Sequence, residues 1–201
     1  YMSSQFSELY NRWARISRAT MRIPHKPGDS MEVDWAGATI DILDPVTGMT
    51  SKAYLFVAVL SCSLYVYAEV CSDMREENFI NCHIHAYAYF GGVTRLLIPD
   101  NLKAAVTRHT KDGLLLNAVF SDLEDCYDTI VLPPPPRKPK GKAAIENHVK
   151  YLETHLIERL KEGTYTSLDS INQETKKIIA DINQRDFQDR KDIRRSRTYA
   201  F

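Results

Sequence analysis

The chain has 201 residues, of which 44% are hydrophobic and 26% charged, a composition typical of one globular domain with an appendage. Its 26 basic and 26 acidic residues give a formal net charge of zero, which excludes a uniformly basic or acidic protein but not a basic surface patch. No apolar run approaches the length of a membrane span and no signal peptide is recognisable, so a cytoplasmic location is expected.

The first predicted element is an amphipathic helix that begins at about Ser4. Its apolar stripe has helical spacing and comprises Phe6, Tyr10 and Trp13. We expect this stripe to pack on the domain or on a neighbouring subunit. The segment IPHKPGDS follows as a linker, so we assign residues 1–30 to an N-terminal helix and linker. Because the chain opens on Tyr1 rather than on a methionine, we expect it to be a piece of a longer protein.

Three strands with short connections open the predicted globular domain, over residues 31–43, 53–60 and 65–70. The middle strand is a continuous apolar run, which predicts burial on both of its faces. A helix then runs to about Phe90, with Ser72 or Asp73 as its cap and a Gly-Gly pair at its end.

Strands and helices alternate in the rest of the domain. A strand is predicted over residues 95–99, a helix or loop after residue 101, a helix over 117–127 and a strand over 129–132. Four prolines at 133–136 cannot continue a sheet ladder. Two helices follow, over 143–161 and, capped near Ser167, up to about residue 183. The basic tail lacks clean periodicity, so we expect order there only through a partner or through packing on the core.

This element order predicts an α/β fold with a five-stranded mixed sheet flanked by helices. Three strands are antiparallel, and the two later strands need right-handed crossovers and add in parallel to the first. The first and fourth strands are then neighbours. We assign residues 31–185 to this domain and residues 186–201 to a basic C-terminal extension.

The four cysteines and two neighbouring histidines predict no metal or thiol chemistry. The cysteines form no C-x-x-C pair and lack zinc-ligand spacing; they are Cys62, Cys71, Cys82 and Cys126. Because they lie in apolar runs, we expect reduced core residues of an intracellular protein. His83 and His85 are two positions apart on a predicted helix and point to different sides, so we expect no metal role for them.

Three acidic residues are candidates for a metal site: Asp34 in MEVDWAG, Asp100 in LLIPDN and Glu146 in KPKGKAAIENHVK. Each has an ordinary alternative when taken alone. Asp34 could form a structural salt bridge or lie on an exposed edge, and Asp100 could cap a helix. Glu146 could pair with a lysine one turn away. Together, two acids at neighbouring strand ends and one on a helix could bind two divalent ions that act on phosphodiester bonds.

Three segments carry a resemblance to a known family: VDWAG, FGGVTRLLIPDNLKAAV and PPRKPKGKAAIENHV. They resemble the RNase H-like catalytic domain of DDE transposases and retroviral-type integrases, and most specifically the IstA-type transposases of bacterial insertion sequences. The resemblance implies that Asp34, Asp100 and Glu146 are the catalytic residues. It also implies that they bind two Mg²⁺ or Mn²⁺ ions, and that residues 31–185 form a DDE catalytic domain.

The resemblance further implies an activity and its partners. Such enzymes cleave DNA strands at the ends of their own element and transfer the 3′-hydroxyls to target DNA, in a bacterial cytoplasm. They act as homo-oligomers that bring two DNA ends together, and IstA-like proteins work with an ATPase helper of the IstB type.

Basic residues cluster at 12–22, 137–142 and 190–197, which indicates a nucleic-acid surface when they flank one site. Retroviral integrases carry two basic positions on the helix after the catalytic glutamate; Lys150 fits the first, but Glu153 occupies the second. The predicted DNA-binding residues are Lys103, Lys138, Lys140, Lys142, His148 and Lys150.

Two other functions stay open at this point. One is an RNase H-like nuclease or resolvase that cleaves strands without joining them. The other is a DNA-binding or assembly module whose acidic residues carry out no catalysis.

Overall fold

The computed structural model describes residues 26–99, 106–110, 113–116, 118–132, 139–184, 186–187 and 190–194. Its centre is a five-stranded sheet in the order β3-β2-β1-β4-β7. Strands β1 (Ser30–Leu43), β2 (Thr50–Leu60) and β3 (Val66–Cys71) form an antiparallel meander. Strands β4 (Leu96–Pro99) and β7 (Ile130–Val131) add in parallel beside β1. The predicted α/β fold with three antiparallel and two parallel strands is confirmed.

Four helices surround this sheet in the described part of the chain: α1 (Glu76–Phe90), α2 (Ala118–Tyr127), α3 (Pro139–Lys161) and α4 (Leu168–Gln184). Helix α3 packs on β1 and β2, and α4 packs on β3. The apolar face of α3 buries Leu152, Leu156 and Leu160 against a central β2 that is buried from Leu55 to Leu60. The continuous apolar run of β2 therefore has the double burial that it predicted.

The start of α1 differs from the prediction. The helix begins at Glu76, and its N-cap residue is Arg75, which makes no side-chain capping bond. Neither Ser72 nor Asp73 is the cap, so that prediction was wrong. The Asp73 carboxylate instead accepts hydrogen bonds from the Arg75 N–H at 2.9 Å and from the Asn78 side chain at 2.8 Å, which forms a turn before the helix. The predicted end is confirmed, because Gly91 has a left-handed φ of 85° there.

Two small hairpins were not predicted. Strands β5 (Val106–Thr110) and β6 (Gly113–Leu116) pair where a helix or loop was expected. The sequence feature that could have predicted this first hairpin is Lys111-Asp112-Gly113, which lies between two strand-forming runs. Its composition favours a tight turn. Strands β8 (Asp186–Phe187) and β9 (Arg190–Arg194) form a second ribbon in the basic tail.

The predicted burial of the four cysteines is only partly confirmed. All four are free thiols; Cys71 and Cys82 are buried, Cys62 is half-buried and Cys126 is exposed. The expectation that all are core residues was therefore wrong for Cys126, because it lies on the outer side of the short helix α2. No helix in the described residues is both long and apolar enough to span a membrane. The predicted first helix and the proline run lie outside the described residues.

Helix side chains cover the outer backbone of both edge strands. The side-chain amide of Asn183 in α4 accepts from the Val66 N–H at 2.9 Å and donates to the Val66 carbonyl at 2.8 Å. Asn172 forms the same pair of bonds with Val70, at 2.8 Å each. At the opposite edge, the Glu124 carboxylate accepts from the Val131 N–H at 2.7 Å. These contacts occupy backbone groups that a further strand would otherwise pair with.

Candidate active site

The pairing of β1 with β4 sets up the candidate site. Glu32 faces Ile98 and Val33 faces Pro99 in a parallel register. Pro99 is the last residue of β4, and the next residue of β1 after this pair is Asp34. Strand β4 and its parallel ladder end here, whereas β1 continues to Leu43, so Asp34 lies within its strand and not at the strand end that was predicted. The carboxyl end of a parallel strand such as β4 is where α/β sheets commonly build their sites.

Asp34 lies in the paired, central part of the sheet. It pairs with Val57 in the buried middle of β2, and its own side chain is half-buried. One carboxylate oxygen, Oδ1, accepts a hydrogen bond from the Trp35 N–H at 2.8 Å. The register with β2 shifts between Trp35 and Thr39, which bends β1 just after the acid. The carboxylate is thus presented at a fixed point on the central strand.

An aromatic cluster packs against the sheet beside Asp34. Trp35 meets Phe56 edge-on at 5.5 Å between ring centroids, and Phe56 meets His83 of α1 at 5.1 Å. Phe79 lies 4.2 Å from the His83 ring and 5.2 Å from Phe120 of α2. The cluster therefore joins β1, β2, α1 and α2 into one packed unit.

His83 is a structural residue in this cluster. It is fully buried, and its Nδ1 is 2.7 Å from the Phe79 carbonyl, one turn earlier in α1. Burial lowers its pKa to about 4, partly offset by this hydrogen bond, so the imidazole is neutral near pH 7. His85 is exposed, and its Nδ1 is 2.9 Å from the Glu69 carboxylate. The two side chains thus have separate surroundings.

The other two predicted catalytic acids are described less fully. Asp100 lies outside the described residues and directly follows Pro99. Glu146 stands in α3, three residues before the buried Val149, and only its backbone is described. Helical spacing puts these two α3 positions on the same side of the helix.

The predicted DNA-binding residues are also only partly described by the structure. Lys103 and Lys138 lie outside the described residues. Lys140, Lys142 and His148 stand in α3, where only their backbone is described, and Lys150 is exposed on the same helix. Among the side chains that the structure describes, no group of three metal-binding residues is present. The side chains of Asp100 and Glu146 are not among those described.

Two residues were missed by the sequence analysis, of which only the first lies beside Asp34. Glu32 is only 8% exposed and stands two positions before Asp34, on the same face of β1. The period of two along MEVDWAG could have identified it. Tyr151 of α3 is 60% exposed, although the predicted helix gave it no role.

A solved structure defines the class of fold. The catalytic core domain of the HTLV-2 integrase, determined in complex with magnesium, matches 89% of this chain and 99% of its own length. The TM-score is 0.55 at 13% sequence identity, which establishes a common fold. The domain is therefore an RNase H-like integrase catalytic core in fold, as the element order and the three segments predicted.

Proteins of similar sequence define the kind of protein more narrowly than the fold does. No protein-family model matches the chain. A protein of Pseudomonas fluorescens, named as a transposase for insertion sequence IS1162, is 35% identical over 93% of this chain and 33% of its own length. The transposase of insertion sequence element IS21 from Pseudomonas aeruginosa is 27% identical over 85% of this chain and 42% of its own length.

The chain is thus a homologue of insertion-sequence transposases, and the resemblance seen in its three segments is confirmed. It spans about a third of the length of the first of these curated relatives.

Proposed function

We propose that this chain is the catalytic core of an insertion-sequence transposase that cleaves DNA strands and transfers their 3′-hydroxyls to target DNA with the help of divalent metal ions. The observation that carries the proposal is the parallel pair Val33–Pro99, because Asp34 and Asp100 are the residues that directly follow it. Paired strands are about 4.8 Å apart, which is close enough for carboxylates on adjacent strands to share an ion.

The path of α3 supports Glu146 as the third acid. Tyr165, just after α3, forms a bridge with Ile42 at the end of β1, and its carbonyl accepts from the Leu43 N–H at 2.8 Å. Glu146 is about 22 Å before the last residue of α3, along a helix that packs on β1. Asp34 is about 26 Å before Ile42 along the strand. Both positions are therefore far from the shared contact and toward the same end of the two elements.

The chemistry of these side chains fits Mg²⁺ or Mn²⁺. All three proposed ligands are carboxylates, the donors that these ions prefer, and the described one is held by a backbone hydrogen bond on a buried strand. Bound ions of this kind supply charge stabilisation and an activated oxygen nucleophile for phosphodiester chemistry. We propose two such ions.

The chain's own residues then position the substrate and the ions. The backbone of Asp34 is paired with Val57 of β2, and its carboxylate is held by the hydrogen bond from the Trp35 N–H. Lys150, exposed on α3 one turn after Glu146, would bind a phosphate of the DNA. The proposed further phosphate contacts are Lys103, Lys138, Lys140, Lys142 and His148.

The proposed partners are those that the resemblance to insertion-sequence transposases implies. They are the ends of an insertion sequence, target DNA, further copies of this chain in a synaptic complex, and an ATPase helper of the IstB type. The proposed location is the bacterial cytoplasm. Residues 31–185 would form the catalytic domain, with residues 1–30 as helix and linker and residues 186–201 as a basic extension.

The experiment is strand transfer by the whole protein on pre-cut element ends with Mg²⁺ or Mn²⁺. We expect joined product from the unaltered protein and none from Asp34→Ala, Asp100→Ala or Glu146→Ala. Undiminished joining by any of these variants refutes that residue's role. On uncut element ends, cleavage without any joined product indicates a nuclease or resolvase, and an absence of both reactions on cognate ends indicates a non-catalytic module.

A further inference from the structure

One face of the paired strands β4 and β7 carries aliphatic side chains that reach the surface. They form what we call the β4–β7 face: Leu96, Ile98, Ile130 and Leu132. Leu96 pairs with Ile130 in the parallel register, and the other two lie two positions further along each strand on the same side of the sheet. Ile130 is 49% exposed and Leu132 is 40% exposed. The intervening Leu97 and Val131 are buried on the opposite side of the sheet.

The β4–β7 face is on the same side of the sheet as the candidate site. Glu32 of β1 pairs with Ile98, and Asp34 is two positions after Glu32 in the same strand. Helix α3 packs on the neighbouring strands β1 and β2, whereas β7 keeps two side chains that expose 40% or more of their surface. Adjacent exposed aliphatic side chains of this kind mark a surface that another apolar element covers.

The chain enters the sheet directly beside this face. Ser30, the first residue of β1, pairs with Leu96, and two N–H groups at the start of β4 donate to the carbonyls of the two residues before Ser30, at 2.9 Å each. Two strand spacings, about 10 Å, therefore separate Ser30 from Ile130. Residues 19–25 can span about 23 Å when extended. A segment that precedes them is thus tethered within reach of the β4–β7 face.

The sequence of that preceding segment predicts an apolar stripe. The predicted first helix has Phe6, Tyr10 and Trp13 on one side, while Arg15 and Arg18 fall outside this stripe. These residues lie outside the described part of the chain. An isolated helix of this length is marginal in water, so its apolar side needs a surface on which to pack.

We propose that the predicted helix over residues 4–18 docks on the β4–β7 face of its own chain, through Phe6, Tyr10 and Trp13. The tether favours the chain's own face over that of a second copy, because it holds the stripe at a high effective concentration. Docking leaves Arg15 and Arg18 on the outer side of the helix. They then add positive charge to the side of the sheet that carries Asp34. The inference concerns the protein without DNA and does not depend on the proposed function.

The test follows the fluorescence of Trp13 in the whole protein without DNA. The signal of Trp13→Phe is subtracted from that of the unaltered protein, which removes the contribution of Trp35, the second of the two tryptophans. We expect the difference signal to lie at shorter wavelength, and to be quenched less by acrylamide, than in the urea-unfolded chain. The double variant Ile130→Thr/Leu132→Gln should move both properties to the values of the unfolded chain.

Val46→Thr is the matched control, since Val46 is 91% exposed in the turn at the far end of β1 and should have no effect. Phe6→Ala alters the other side of the contact without touching the sheet, and it should expose Trp13 as the double variant does. A solvent-exposed Trp13 in the unaltered protein overturns the inference, as does a Trp13 signal that neither Phe6→Ala nor the double variant changes, or that Val46→Thr changes equally. A signal that is lost on dilution also overturns it, because the stripe would then be docked on a second copy.

Discussion

Val33 of β1 and Pro99 of β4 are partners in a parallel pair, and both are buried. Proline has no N–H to donate, so a strand that ends on it also ends its ladder. The pair therefore marks the end of the parallel ladder between β1 and β4, while β1 itself continues to Leu43 beside β2. The proposed site is built on this relationship, because an aspartate follows each member of the pair in the sequence.

The edge contact between Asn183 and Val66 predicts a large effect of a single-atom change. Asn183→Asp keeps the acceptor for the Val66 N–H but loses the donor to its carbonyl, at a site only 6% exposed. We expect a loss of about 2–3 kcal/mol in the free energy of unfolding, measured by urea denaturation. The same change at half-buried Asn172 should have a smaller effect. Unchanged stability of Asn183→Asp would contradict this account of the sheet edge.

The buried His83 predicts a pH dependence of stability. Its pKa is about 4 in the folded protein against about 6.5 when unfolded, so the unfolded chain binds the extra proton between these values. The stability that the neutral ring contributes is complete above about pH 6.5 and falls as the pH drops toward 4, by about 3 kcal/mol in total.

The measurement is urea denaturation of the unaltered protein and of His83→Leu from pH 7.5 to 4.5. The leucine variant should lose less stability over this range, since it has no ring to protonate. His85→Gln changes an exposed histidine on the same helix. It is the control that shows whether the pH dependence belongs to the buried His83 ring. A parallel loss in all three proteins would assign the pH dependence to other groups.

Lys150 is predicted to contact a phosphate. Lys150→Ala should weaken binding of duplex DNA and reduce the slope of log affinity against log salt by about one, whatever the sequence. Lys177→Ala is the matched control, because Lys177 is 73% exposed on α4 and paired with Glu174 at 2.9 Å. An unchanged slope for Lys150→Ala, or equal changes for both variants, would remove Lys150 from the DNA surface.

The sheet was predictable because its strands have strong patterns. The apolar run of β2 indicates a central strand, and the order of strands and helices then leaves β1 and β4 as neighbours. The α1 cap was not predictable in this way, because Asp73 forms a turn with Arg75 and Asn78 instead of capping the helix. Local propensity does not distinguish these two uses of an aspartate.

The candidate site was predictable only as a set of residues. Strand ends and the three segments singled out Asp34, but the half-burial of its side chain and the bond from the Trp35 N–H depend on the register with β2. The exposure of Tyr151 and the edge bonds of Asn183 likewise depend on how α3 and α4 pack on the sheet, over long sequence separations. Neither helix pattern encodes that packing alone.

The most direct test of the central claim replaces the proposed Mg²⁺ with Fe²⁺ in the DNA-bound protein and maps where ascorbate and peroxide cut the chain. Iron at the proposed site generates radicals locally, so we predict cuts in three segments: around Asp34 in β1, just after Pro99, and around Glu146 in α3. The cuts should be lost in Asp34→Asn and with excess Mg²⁺. Cuts confined to one of these segments, or located elsewhere, would contradict a metal site shared by the three acids.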